Sequence, residues 1–182
     1  MDKDKLRKYI GLLIHPIFII AIAASMRLVP HPPNFAPIAA MALFGGAYLN
    51  KWYAFAIPLV ALFMSDLVIG LYSPIVMTSV YGSFIFSGFI GMWLKKRRNI
   101  RTIILGAIGS SVMFFLVTNF AVWLNGFYPR NITGLLESYT LAMPFYRNTL
   151  MGNLFYTAAF FGAYELALKL VKKPKLAEVT AK

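Results

Sequence analysis

Cysteine is absent from the 182 residues, and that one absence excludes disulfides, thiolate nucleophiles and cysteine-ligated metal. Acid is nearly as scarce. Six Asp and Glu with two His supply no three-ligand cluster, and no nucleophile with a base, phosphate-cradling glycine loop or paired catalytic carboxylates can be found. The chain is therefore expected not to be an enzyme and to carry no cofactor or metal. Charged residues make up only 13%, against roughly 25% in an ordinary soluble domain. Hydrophobic residues make up 59% instead, which marks a membrane protein of a single domain. No internal repeat of the inverted-transporter kind and no low-complexity segment stands out.

The charge that remains is lopsided, at +12 net. Fourteen of the eighteen Lys and Arg lie in three places: the N-terminus, Lys95–Arg101, and the tail from Lys169 onward. Clusters at the ends of apolar runs report topology and not a nucleic-acid face, so no nucleic-acid partner is expected. Short loops rich in Lys and Arg stay in the cytoplasm, so Lys95–Arg101, with five cations between two long apolar runs, sets the side on which every other loop lies. Residues 1–8 are basic like the start of a signal peptide. The apolar run behind them continues to Val29 without a small-residue cleavage site, so a retained helix is expected.

About 20 apolar residues are needed to cross a bilayer. Six runs follow in order, 9–29, 36–49, 52–71, 75–94, 102–124 and 148–171, all within one integral membrane domain. The expected fold class is all-α, with six transmembrane helices and both termini inside. Pro16 is expected to kink the first run, and Pro30–Asn34 to form an outer loop that no helix can continue. The second run reaches only about 21 Å, so it is expected to be short or to start within the bilayer, shielded by its neighbours. Between the fifth and sixth runs, Leu135, Leu136, Tyr139 and Met143 recur at helical spacing, which predicts a short amphipathic helix over the outer surface with Thr133 as its N-cap.

Burying an ionisable group in the membrane costs at least a few kcal/mol, so each such residue should face a partner, a cavity or an interface. Asp66 leads the candidates, either as a structural ion pair with Arg27 or Arg147 or as a ligand contact. Counted from the predicted helix ends, Asp66, Tyr81, Asn119 and Asn153 fall on one level about 8 Å inside the outer surface. Phe115, Asn119 and Trp123 share a face, giving an aromatic wall beside an amide. His31, in the proline-stiffened outer loop, is placed to reach a ligand. The candidate binding set is thus Asp66, Tyr81, Asn119, Trp123, Arg147, Asn153, His31 and Arg27, with Asp66 and Arg147 expected to face each other across an outer pocket. In the inner half, Glu165 is expected to pair with Lys169 one turn on. Small residues at four-residue spacing, Ala21 with Ser25, Ser83-Ser87-Gly91 and Ala159-Ala163-Ala167, mark seams where helices approach closely or meet a partner.

The segments from Arg27 to Ala40, Ser65-Asp66-Leu67, Val80 to Phe84, Val117 to Trp123 and Pro144 to Leu150 resemble small bacterial membrane proteins similar to the substrate-binding S components of energy-coupling-factor transporters. The solitary cobalamin-uptake type is the nearest. The resemblance implies a six-helix protein of the bacterial cytoplasmic membrane that holds a vitamin-sized solute, cobalamin or a related compound, in an outward-facing pocket and topples to release it. It further implies the bilayer and an energy-coupling module as partners, and Asp66, Tyr81 and Arg147 as pocket residues. The chain departs from the cobalamin type in having no pocket cysteine to ligate cobalt, and only Ala21 and Ser25 stand in for the small-residue motif that meets the coupling subunit. A non-transporting assembly or scaffold protein is the alternative from another class. It has no need of a polar layer confined to the outer third of the bundle.

Overall fold

The computed structural model describes residues 15–171, so residues 9–14, the N-terminal cations and the tail's Lys172, Lys173 and Lys175 lie outside the described residues. The described chain is all helical. Six helices follow in order: α1 Pro16–Met26, α2 Ile38–Tyr48, α3 Lys51–Ile69, α4 Pro74–Leu94, α5 Ile100–Leu124 and α6 Ile132–Val171. Of these, α3, α4 and α5 are long and apolar enough to cross a membrane.

One of the two shortest helices, α2, holds the centre. From Ala39 to Ala47 every residue of α2 is buried, and the helix packs against all five others. A helix apolar all round has no face for water, so enclosure is the arrangement its sequence demands. Its tightest crossing is with α4, where Gly46 and Gly91 bring backbones together. A Cβ on Gly46 would collide with the Gly88 carbonyl, and one on Gly91 with that of Leu43. On its other side Phe44 sits among Tyr48, Phe160, Phe161 and Tyr164, with ring centroids 4.7–6.1 Å away, which fastens α2 to α6.

Helix ends follow local chemistry more than hydropathy. Pro16 opens α1 as its first residue, where its missing N–H costs nothing, and is not a kink. Asn99 and Thr102 form a reciprocal capping box, which starts α5 at Ile100. Gly70, at φ 117°, stops α3 in a conformation that favours glycine.

The largest departure is α6. No separate amphipathic helix exists, because one helix runs from Ile132 through Pro144 to Val171. An interior proline forfeits a backbone bond and crowds the carbonyl one turn back, at a cost of about 3 kcal/mol that packing has to offset. Both halves are held against α5: the Tyr139 hydroxyl donates to Leu116 O at 2.8 Å, and the Tyr139 and Tyr146 rings lie 5.5 and 4.7 Å from that of Phe115. Leu136 and Met143 point outward. Asn131 and not Thr133 caps the helix, its Oδ1 accepting from Gly134 N at 2.8 Å. At 40 residues the helix is about 60 Å long, twice the hydrocarbon thickness of a bilayer.

The bundle has two distinct ends. At one, Lys95 Nζ donates to Leu49 O and Asn50 Oδ1, so the α2–α3 turn sits beside the basic loop. At the other, Ser73 Oγ donates to Asn125 Oδ1, tying the α3–α4 turn to the α5–α6 connection. The strap from Arg27 to Pro37 crosses this second end and is pinned by Asn148 Nδ2, which donates to Pro33 O at 3.0 Å.

Candidate functional site

Two groups of polar residues meet beneath the strap. The first is a charge cluster between α1, α3 and α4. Asp66 is 1% exposed, and Arg27 Nη1 lies 2.6 Å from its Oδ1. The same nitrogen donates to Ser65 Oγ at 2.5 Å and to Leu62 O at 3.3 Å, so Oδ1 is held by charge and lacks a well-directed hydrogen bond. The Tyr81 hydroxyl donates to Asp66 Oδ2 at 2.8 Å. Tyr72, in the turn after α3, feels the same acid: burial and the Asp66 carboxylate push its phenol up to about 12. The charge partner of the acid is Arg27. Arg147 is exposed on α6 and does not face it, which overturns the expected Asp66–Arg147 pairing.

The second group lines a cleft of about 250 Å³ between α4, α5, α6 and the strap. Val76 and Val80 form the α4 wall, Phe114, Phe115, Thr118 and Asn119 the α5 wall, and Phe145, Tyr146 and Thr149 the α6 wall. Asn34 of the strap closes it, with its backbone left-handed at φ 62°, a conformation Asn tolerates better than other side chains with a Cβ. Asn34, Phe114 and Thr149 also line a chamber of about 70 Å³ below, which Asn153 borders. Beside the cleft, Tyr72, Phe127 and Tyr128 line a shallower depression of about 410 Å³ that shares Val76 and Val122 with it. A further groove of about 670 Å³ between α3 and α4 is lined by Trp52, Phe55, Phe89, Met92 and other apolar residues, with the Trp52 indole N–H as its one side-chain hydrogen-bonding group.

The eight candidates therefore divide. Asn119 lines the cleft and Asn153 the chamber, while Arg27, Asp66 and Tyr81 form the adjoining cluster. Trp123 is drawn off to the α5–α6 connection, where Nε1 donates to Pro129 O at 2.9 Å. His31 is exposed, its ring nitrogen 2.7 Å from Val29 O within the strap, and neither it nor Arg147 lines the cleft. Asn153 also lies deeper than expected. Because α6 starts at Ile132, Asn153 falls at mid-helix, and Nδ2 donates to Ala107 O and Ser111 Oγ, so the single polar level is broken. Glu165 accepts from the Tyr48 hydroxyl at 2.8 Å and makes no ion pair with Lys169.

Among the small-residue seams, Ser83, Ser87 and Gly91 are buried against α2, whereas Ala21, Ser25, Ala159 and Ala163 are exposed. Asn34, Thr118, Tyr146 and Thr149 were not among the expected site residues. The signal for the last two was the three-residue spacing of Tyr146 and Thr149, on a helix whose true start brings them opposite Phe115 and Asn119.

Residues 9–176 match a family described as a family of unknown function, DUF6580. No curated protein and no solved structure matches the chain.

Proposed function

We propose that this chain, which belongs to the DUF6580 family of unknown function, is a membrane-embedded solute-binding protein that serves as the substrate-binding subunit of an uptake system. The observation that carries this reading is the cleft: aromatic walls on two helices, with hydroxyls and amides from Thr118, Asn119, Thr149 and Asn34 converging on one space. A scaffold gains nothing from such a space.

In this reading the basic loop lies in the cytoplasm and the strap end faces outward, in a bacterial cytoplasmic membrane. Six passes with both termini inside follow if α1 and α2 count as passes. At 11 residues each within the described chain they do not span alone, but the strap completes the path of α2 under the cover of its neighbours. The exposed face of α1 carrying Ala21 and Ser25 is the surface offered to an energy-coupling module. The part of the solute held in the cleft is far smaller than cobalamin, since 250 Å³ lies below even the roughly 300–1,000 Å³ of drug-sized pockets.

Native mass spectrometry of gently purified protein tests the reading. A retained small molecule, released by Asn119→Leu, is expected. Protein that is empty in every preparation, with no thermal shift across a panel of vitamins and other small solutes, overturns it in favour of the scaffold.

A further inference from the structure

We infer that the part of the solute buried in the cleft is an uncharged, planar, hydrogen-bond-donating ring, of the lactam or N–H heterocycle class; this rests on the cleft being a solute site. The walls carry no Asp, Glu, Lys, Arg or His. The one buried acid nearby is neutralised by Arg27, and Arg147 is exposed elsewhere. A charged group entering this space would lose its hydration and meet no counter-charge, which selects against carboxylates, phosphates and ammonium groups.

The walls carry acceptors and donors of definite sense. Thr118 Oγ1 donates to Phe114 O at 2.7 Å, Asn119 Nδ2 to Phe115 O at 2.8 Å, and Thr149 Oγ1 to Phe145 O at 2.9 Å. Each side chain spends a proton on the carbonyl one turn back. The Thr hydroxyls have no second proton to give and Asn119 Oδ1 can only accept, while the second Asn119 amide proton and the Tyr146 hydroxyl remain as donors for a carbonyl on the solute. The Asn119 amide orientation is fixed by that bond, because only an NH₂ can serve a carbonyl. Thr118 Oγ1, Asn119 Oδ1 and Thr149 Oγ1 thus stand as acceptors for a ring N–H. Asn34 makes no side-chain hydrogen bond to any described residue, and its amide can answer a carbonyl on the same ring.

Shape agrees with this chemistry. Phe114, Phe115, Phe145 and Tyr146 supply the walls, and the Phe115 and Tyr146 rings lie 4.7 Å apart at 42°. Phe115 and Tyr146 pack on each other and form one continuous aromatic wall, against which a flat ring buries the most surface. Any bulkier part of the solute has the Tyr72, Phe127 and Tyr128 depression to occupy.

The test uses the full chain in lipid nanodiscs and three probes of one size: 2-quinolone, its N-methyl derivative, and quinoline-2-carboxylate. 2-Quinolone is expected to bind, and both N-methylation and the carboxylate are expected to weaken binding at least tenfold. In the triple variant Thr118→Val, Asn119→Leu, Thr149→Val, the N–H and N-methyl compounds should bind alike. Equal affinity of those two for the natural chain, or tighter binding of the carboxylate, overturns the inference whether or not the variant folds. A preference for N–H that survives the triple substitution also overturns it. Protein that retains a solute in native mass spectrometry but binds none of the three probes overturns the ring class and leaves the solute site standing; protein empty in both experiments overturns both.

Discussion

Arg27 closes on Asp66 with 2.6 Å between Nη1 and Oδ1, so the residue that ends α1 is the counter-ion of an acid buried in α3. The strap that roofs the cleft begins at this arginine. Removing one partner of a buried pair strands a charge, which costs about 3–5 kcal/mol, whereas replacing both by apolar groups recovers much of that. Thermal unfolding should therefore show Asp66→Leu and Arg27→Met each strongly destabilised and the double variant closer to the natural chain. Additive losses in the double variant would show that the two do not act as a pair.

Arg147 provides the contrast. Its side chain is exposed and shares no salt bridge or hydrogen bond with any other described residue, so Arg147→Met should change stability only within the range of a surface substitution, about 0.5 kcal/mol. A loss comparable to that of Arg27→Met would return it to the Asp66 cluster.

The contrast also shows how far the sequence could be read. Asp66 and Tyr81 fall on one level because the turn between their helices, expected at Tyr72 to Pro74, lies close to the observed turn from Gly70 to Ser73, and the two are hydrogen bonded. The short, shielded second helix was legible from its length and its Ala and Gly content. Asn153 and Arg147 were misplaced for one shared reason. The stretch from Asn125 to Tyr146 is mixed rather than apolar, which puts the start of the last span at 148 and shifts every depth and bearing counted from it. What restores the helix is tertiary packing, Tyr139 and Tyr146 against Phe115, which no local pattern displays. Asn34 stayed hidden because a strap residue has no periodicity to give it a direction.

The crossing of α2 and α4 makes a sharper demand on single atoms. A methyl group on Gly46 or Gly91 would have to push one backbone off the other, because the obstructing atoms are carbonyls and not flexible side chains. Gly46→Ala and Gly91→Ala should each cost about 1–3 kcal/mol of stability. Gly109 is the control: it lies in α5 with nothing near its missing Cβ, so Gly109→Ala should stabilise by about 0.5–1 kcal/mol through helix propensity alone. Equal effects at all three positions, read from thermal unfolding, would mean that the crossing is looser than described.

The membrane orientation rests on a relation that single-cysteine labelling can check, and the natural absence of cysteine makes every label unambiguous. Asn50 and Lys96 are exposed at the end where Lys95 bridges to the α2–α3 turn, and His31 and Phe127 are exposed at the end crossed by the strap. Five cations in one short loop strongly favour the cytoplasmic side for the first pair. In intact cells an impermeant maleimide should therefore label His31→Cys and Phe127→Cys but reach Asn50→Cys and Lys96→Cys only after permeabilisation. The reverse pattern would turn the cleft toward the cytoplasm and make import the wrong direction for its solute. Labelling of Asn50 and His31 from the same side would show that α2 and its strap do not carry the chain across, and the six-pass topology would fall with it.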